Sequence, residues 1–99
     1  MRLVFTETAE QELEAIGDYI AIDNPARALG FIRELRKDCN LLTTMPERHP
    51  LLARYRAAGI RRRVYDNYLI FYRVEAETVQ ILHVLHGAMN YQAILFPEE

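Results

Sequence analysis

Residues 60–86 read IRRRVYDNYLIFYRVEAETVQILHVLH and contain three runs typical of β-strands. The runs IRRRVY, YLIFYRV and TVQILHVLH are rich in Val, Ile, Tyr and Phe, and the short connections DN and EAE between them are typical of hairpin turns. We therefore predict an antiparallel meander. Its middle run is apolar at nearly every position, which implies a central place in the sheet or covering on both faces. A face left bare would mark a binding surface.

Two amphipathic helices are predicted before these strands. We expect the first to begin at Thr8, which forms a capping box with Gln11, and the second at Asn24, with Pro25 in its first turn. Apolar residues recur every three or four positions, at Ala9, Leu13, Ile16 and Ile20 in the first helix and at Ala28, Ile32, Leu35, Cys39 and Leu42 in the second. The short junction predicts an antiparallel helical hairpin, with Gly30 allowing close approach of the first helix.

The rest of the chain completes a single α+β domain over residues 1–99. The N-terminal run RLVF predicts a short strand, and residues 46–59 a loop with local turns. The C-terminal run YQAILFPEE is compatible with a strand, a short helix or a tail whose structure depends on a partner. The predicted architecture is a short N-terminal strand followed by a helical hairpin packed on an antiparallel sheet.

Composition narrows the class of protein. A chain of 99 residues buries one modest core. No segment approaches the roughly 20 apolar residues of a membrane span, and the N-terminal run MRLVFTE lacks a long apolar signal core, so we predict a cytoplasmic protein that does not contact membranes. The single Cys39 is interpreted as a buried apolar residue.

Charge is unevenly distributed along the chain. Residues 1–23 contain six acidic residues against Arg2, whereas residues 24–63 contain ten Arg or Lys against three acidic residues. The acidic positions suit a solvated helix face near the positive end of the helix dipole. The basic middle suggests a local docking site for an anionic partner, because a pI near 5.9 argues against a general nucleic-acid coat protein.

The three consecutive arginines cannot all serve one phosphate site, because neighbouring strand residues point to opposite faces. If Ile60 and Val64 point toward the core, Arg62 lies at its margin and Arg61 and Arg63 face outward. Three interpretations stay open for these arginines: protection of a strand edge by charge, docking of an acidic protein segment, and contact with nucleic-acid phosphates.

Other side chains offer no catalytic or metal-binding pattern. His83 and His86 lie three positions apart on a strand, which does not suit a shared metal ion, and His86 is interpreted as a hydrogen-bonded structural residue. Tyr68 and Tyr72 share a face with Ile70 and are assigned to the core rather than to base stacking. Phosphate-cradling glycine loops and nucleophile elbows do not occur in the sequence, so we predict no cofactor.

The chain resembles the RelE/ParE superfamily of bacterial type II toxins, and its ParE branch in particular. The runs that carry the resemblance are LEAIGDYIAIDNPARALGFI, TTMPE, YLIFYRV and ILHVLHGAMNYQAIL. The resemblance implies a helical hairpin on a curved antiparallel sheet. It also implies a cognate antitoxin that lies across the toxin surface in a hetero-oligomer, and a role in plasmid stabilisation.

Members of this superfamily differ in target. ParE-like members inhibit DNA gyrase, whereas some RelE-like members cut messenger RNA on the ribosome with Lys, Arg and Tyr side chains. In our pairing of the strands, two arginines of the RNA-cutting branch fall at Leu69 and Met89. We therefore predict a stoichiometric gyrase inhibitor and not an enzyme; the alternative endonuclease would use Arg62, Tyr91 and His86.

Residues after the last strand bear on toxicity. ParE-like members commonly read HGARD, whereas this chain has HGAMN at residues 86–90, so a weakened toxin that only binds its antitoxin is a third alternative. We predict no direct sequence-specific binding of nucleic acid. The surface that we predict to bind the antitoxin or the target comprises Arg61, Arg62, Arg63, Tyr65, Arg73, His86, Met89 and Tyr91.

Overall fold

The computed structural model describes residues 1–97, with residues 53–55 described by their backbone alone. Four strands and three α-helices follow one another along the chain as β1 (Arg2–Phe5), α1 (Glu7–Asp23), α2 (Pro25–Asn40), β2 (Ile60–Tyr65), β3 (Tyr68–Glu75), β4 (Thr78–His86) and α3 (Tyr91–Leu95). Short 3-10 turns connect α2 to β2. The strands form one sheet in the order β1-β4-β3-β2. The predicted α+β class is confirmed.

The predicted meander is present, because β2, β3 and β4 pair antiparallel in sequence. Strand β1 instead pairs parallel with β4, so the complete sheet is mixed. Asp66 and Ala76 lie in the two predicted turns and have positive φ angles of 54° each. A register shift between Phe71 and Tyr72 marks a bulge where β4 contributes one extra residue.

Helix α1 begins two residues earlier than the capping pattern predicts. Its N-cap is Thr6 and not Thr8, and the Thr6 hydroxyl accepts a hydrogen bond from the Ala9 amide at 3.1 Å. The same hydroxyl donates to the Leu82 carbonyl of β4 at 3.1 Å, and the Thr6 amide donates to Ile81 at 3.0 Å. This anchoring to β4 fixes the start of the helix, so a tertiary contact overrides the local signal.

The two long helices form the predicted antiparallel hairpin. Asn24 alone separates them, and its side chain accepts a hydrogen bond from the Arg27 amide as the predicted N-cap of α2. The role expected of Gly30 is wrong, because a Cβ there would meet only an Arg27 side-chain atom, at 3.9 Å. The close approach occurs at Gly17 of α1, where a Cβ would lie 3.3 Å from Ile32 Cγ1.

The main core lies between the hairpin and one face of the sheet. Cys39 is fully buried, as expected, and burial raises the pKa of its thiol to about 12, which excludes a reactive thiolate near neutral pH. Tyr72 is also fully buried, and its hydroxyl donates to the Pro46 carbonyl at 2.5 Å. The buried residues of this core are Ala9, Leu13, Phe31, Leu35, Cys39, Leu42, Ile70, Tyr72, Val79, Ile81 and Val84.

A second, smaller core covers the opposite face of the sheet. Ile60, Phe71 and Leu85 are buried there, and the side chains packed against them include Leu52, Leu69, Leu82, Tyr91, Ile94, Leu95 and Phe96. The C-terminal run therefore forms the short helix α3, which is one of the three conformations compatible with its sequence. This helix covers the face of β3 that the hairpin does not reach. In residues 1–97 no helix is long and apolar enough to cross a bilayer.

Ala76 provides a test of the β3–β4 turn. A non-glycine residue in the left-handed region costs about 1–2 kcal/mol, whereas glycine adopts that conformation freely. We expect Ala76→Gly to raise the free energy of unfolding by about 1 kcal/mol in urea titrations. The control Ala15→Gly, on the exposed side of α1, should lower it by about the same amount. A loss of stability in both variants would contradict the turn geometry.

Candidate functional site

Arg63 belongs to the helix-covered face of the sheet, not to the outward face that the sequence predicted. Its guanidinium binds the Asp38 carboxylate of α2 with two hydrogen bonds, from Nε at 2.6 Å and from Nη2 at 2.7 Å. Asp38 is buried, and the Arg63 side chain retains 28% of its exposure. Ile60 points toward the second core of the sheet. Because neighbouring strand residues point to opposite faces, Arg61 and Arg63 point toward the helices.

Arg61 holds the loop before β2. Its Nη1 atom donates to the carbonyls of Glu47 at 3.1 Å and His49 at 2.7 Å. Backbone hydrogen bonds also join this loop to β2. The Leu52 amide donates to the Ile60 carbonyl at 2.9 Å, and the Arg62 amide donates to the Pro50 carbonyl at 3.2 Å. The expectation that Arg61 faces outward is therefore wrong, and part of the β2 edge is occupied by the chain itself.

Arg62 lies on the opposite face, beside the second core. Its Nη1 atom is 3.4 Å from the Tyr91 hydroxyl, which makes this the longest hydrogen bond of the three arginines. The Tyr91 ring packs on Phe71, with 5.1 Å between the ring centroids. Two of the residues predicted for an alternative endonuclease are thus neighbours beside the second core.

Arg73 shares the face of Arg62, whereas Tyr65 does not. Arg73 donates to the Gln80 side chain at 3.1 Å and lies 3.7 Å from the Glu75 carboxylate. Its buried Nε atom finds no hydrogen-bond acceptor among the residues that the structure describes. Tyr65 lies on the helix side, where its ring is tilted against Phe31 at a centroid distance of 6.0 Å.

His86 and Met89 lie at a third place, the end of β4. The His86 ring packs edge-on against Tyr68 at 5.5 Å, and its Nδ1 accepts a hydrogen bond from the Ala88 amide at 3.1 Å, as a structural histidine would. Met89 is 47% exposed. Both line an open apolar cleft of about 710 Å³, together with Ala15, Ile16, Tyr19, Tyr68, Val84, Leu85 and Ile94.

The eight predicted surface residues therefore divide among three locations. Arg61, Arg63 and Tyr65 lie on the helix side, Arg62, Arg73 and Tyr91 on the opposite face, and His86 and Met89 beside the cleft. The arginines are therefore divided between the two faces of the sheet, and Arg61 and Arg63, which both contact His49, are engaged by carbonyl and carboxylate oxygens of the fold.

Sequence reasoning missed a polar contact that fixes the bulged region of β4. The Glu12 carboxylate of α1 lies 2.9 Å from His83 Nδ1 and accepts a hydrogen bond from the Val84 amide, also at 2.9 Å. Glu12 departs from the apolar stripe of α1, so helical periodicity alone assigned it to a solvated face. Within residues 1–97, no group of three or more His, Cys, Asp or Glu side chains is placed to hold a metal ion.

A family model described as the ParE toxin of the type II toxin-antitoxin system, parDE, matches residues 3–91. The chain belongs to the ParE toxin family. The resemblance seen in the sequence is thereby confirmed.

A solved structure described as "Chromosomal ParDE TA system from P. aeruginosa" contains a chain with the same fold as this ParE-family protein. The two chains are 22% identical, the similarity covers 87% of this chain and 95% of that one, and the TM-score is 0.75. No curated protein sequence matches the chain.

The Asp38–Arg63 pair should stabilise this ParE fold measurably. Asp38→Leu leaves Arg63 without its carboxylate in a partly desolvated site, so we expect a loss of about 2–3 kcal/mol in the free energy of unfolding. The loss of free energy of unfolding in the double variant Asp38→Leu/Arg63→Leu should be smaller than the summed losses of Asp38→Leu and Arg63→Leu. A double-mutant cycle in urea measures this difference. Additive losses would show that the pair contributes no coupling.

His49 should make stability depend on pH. Burial and the charges of Arg63 and Arg48 lower the pKa of His49, and the opposing effect of Asp38 is smaller. The His49 Nε2 atom lies 3.2 Å from Arg63 Nη1. The folded protein therefore favours neutral His49. The resulting contribution to the free energy of unfolding is fully present above the unfolded pKa of about 6.5 and is lost as the pH falls through the lower folded pKa.

The measurement is the free energy of unfolding between neutral and mildly acidic pH. We expect a decrease on acidification, and the decrease should be smaller in His49→Gln, whose amide oxygen can still accept from Arg63. An unchanged pH profile in this variant would assign the dependence to other groups.

Proposed function

We propose that this ParE toxin inhibits DNA gyrase by stoichiometric binding in the cytoplasm, and that a cognate antitoxin neutralises it. The observation that carries the proposal is the division of the arginines between the two faces of the sheet. Arg63 is held by Asp38 and Arg61 by loop carbonyls, so neither is free to stabilise a phosphorane. Arg62 and Arg73 remain on the other face, and Arg73 already contacts Gln80 and Glu75, so too few free cations lie there for cleavage of RNA at a useful rate.

The second core supports action by binding. Phe71, Leu85, Tyr91 and Ile94 fill the sheet face on which Arg62 lies, and apolar packing excludes the water and polar groups that proton transfer needs. The exposed apolar side chains at the cleft, such as Tyr19 and Met89, suit protein contact instead. The similar solved structure is described as a ParDE toxin-antitoxin system, which supports an antitoxin as partner of this chain as well.

We place contact with the antitoxin or the target at two of the three locations described above. One is the cleft beside His86 and Met89, where Tyr19 is 73% exposed and Met89 47% exposed. The other is the margin of the second core, where Arg62 and Arg73 can bind carboxylates of an acidic segment. Burial of exposed aromatic and methionine side chains would supply the main free energy of binding.

One specific contact favours the second candidate function, an RNA endonuclease. Arg62 Nη1 and the Tyr91 hydroxyl lie 3.4 Å apart, so a cation and a proton donor are adjacent. Cleavage of messenger RNA on programmed ribosomes, abolished by Arg62→Ala, would establish that function. The third candidate, a module that only binds the antitoxin, is favoured by Met89 and Asn90 and would show tight antitoxin binding without growth arrest.

The gyrase proposal is tested with purified protein, gyrase, ATP and relaxed plasmid. We expect loss of supercoiling and accumulation of cleaved DNA at near-stoichiometric protein. Because Met89 is exposed, Met89→Arg introduces a cation without burying it, and one charge-assisted contact should increase potency about tenfold.

The matched control is Met45→Arg, which adds the same charge at another methionine that is 59% exposed, near the end of α2. This control should leave the potency unchanged. Normal supercoiling at large excess of the protein, with no cleaved DNA, would overturn the proposal. Equal gains in the two variants would show that added charge alone increases inhibition.

A further inference from the structure

The helical hairpin has a further surface, which the proposed function does not use. An open groove of about 600 Å³ runs between α1 and α2, and its lining includes Leu13, Gly17, Ala21, Ala28, Leu29 and Ile32. Leu29 is 59% exposed. The groove therefore presents apolar surface to water, and covering it would release free energy in proportion to the area buried.

The α1 side of this groove is acidic. Glu7, Glu10, Glu14 and Asp18 line it, and α1 as a whole contains six acidic residues and no basic ones. Arg36 is the one cation lining the groove within the described part of the chain, and it forms two hydrogen bonds with the Glu10 carboxylate, at 2.7 and 3.0 Å. After this pair is subtracted, the lining has a net negative charge.

The shape of the groove suits a helix. Its two walls are antiparallel helices of 17 and 16 residues, each about 24 Å long at 1.5 Å per residue. Ala21 on the α1 wall and Ala28 on the α2 wall have small side chains, so a third helix can approach the backbone closely. A helix that binds here must carry apolar residues on one face and cations along the flank that meets α1.

We propose that the α1–α2 groove is a docking site for a basic amphipathic helix of a partner protein. The apolar face of that helix would cover Leu29 and Ile32, and its Lys or Arg side chains would bind the carboxylates of Glu14 and Asp18. This surface is separate from the residues of the proposed toxin function and has the opposite charge. The proposal therefore does not rest on gyrase or on antitoxin binding.

The probe is a fluorescein-labelled helical peptide of about 16 residues, the length of the groove walls, made of Leu, Ala and Lys with lysines flanking the leucine face. Binding to the full chain is followed by fluorescence anisotropy. A peptide with Glu in place of Lys should bind at least about tenfold more weakly, and added salt should weaken the lysine peptide. A peptide of the same composition with scrambled order tests the need for an apolar face.

Charge reversal in the protein identifies the surface. Glu14→Lys/Asp18→Lys should weaken binding of the lysine peptide by about tenfold or more. The matched control Glu47→Lys/Glu77→Lys makes the same change of charge at exposed acids outside the groove and should keep the affinity. Circular dichroism confirms that each variant is folded.

Two results would overturn the proposal. Equal affinity in the two double variants would mean that the peptide responds only to overall charge. Sedimentation of the unmodified chain as a dimer that Leu29→Glu dissociates would mean that a second copy of the chain covers the groove. Inhibition of gyrase does not enter either readout, so failure here leaves the proposed function standing, and the converse also holds.

Discussion

The fold depends on the burial of β3 from both sides. Phe71 and Tyr72 are consecutive, point to opposite faces and have no exposed surface. A chain of 99 residues has few elements with which to cover two faces, so the helical hairpin covers one and a five-residue helix completes the other. A helix as short as α3 is unstable alone in water, and its contacts with Phe71 and Leu85 account for its formation.

This constraint also limits the chemistry that the sheet can perform. Aromatic and aliphatic side chains fill the face beside Arg62, and Arg73 on the same face contacts Gln80 and Glu75. On the other face, Arg61 and Arg63 fix the loop and α2, so their charges are used within the fold. The number of arginines in the sequence therefore overstates the positive charge available to a ligand.

Sequence patterns predicted the elements well because their signals are local. The run Ile60–Tyr65 and its two successors form strands with nearly the predicted bounds, and Asn24 caps α2 as expected. The errors concern contacts between distant segments: the cap at Thr6 depends on β4, and the close helix approach occurs at Gly17. Alternation predicted that Ile60 enters a core, but the chain has two cores, and alternation cannot distinguish them. Arg63 was therefore assigned to the wrong face, and its partner Asp38 was missed.

The acidic α1–α2 groove and the basic margin of the second core are separate electrostatic sites despite the small size of the molecule. The overall dimensions are 40 × 31 × 21 Å, whereas charges in water at physiological salt are screened over about 8 Å. A ligand at the α1–α2 groove therefore experiences the carboxylates of α1 far more strongly than the arginines of β2 and β3. Net charge describes neither surface, since opposite local charges nearly cancel in the sum of −2. A single partner could bind both surfaces only if its acidic and basic segments were separated by a distance comparable to the thickness of the domain.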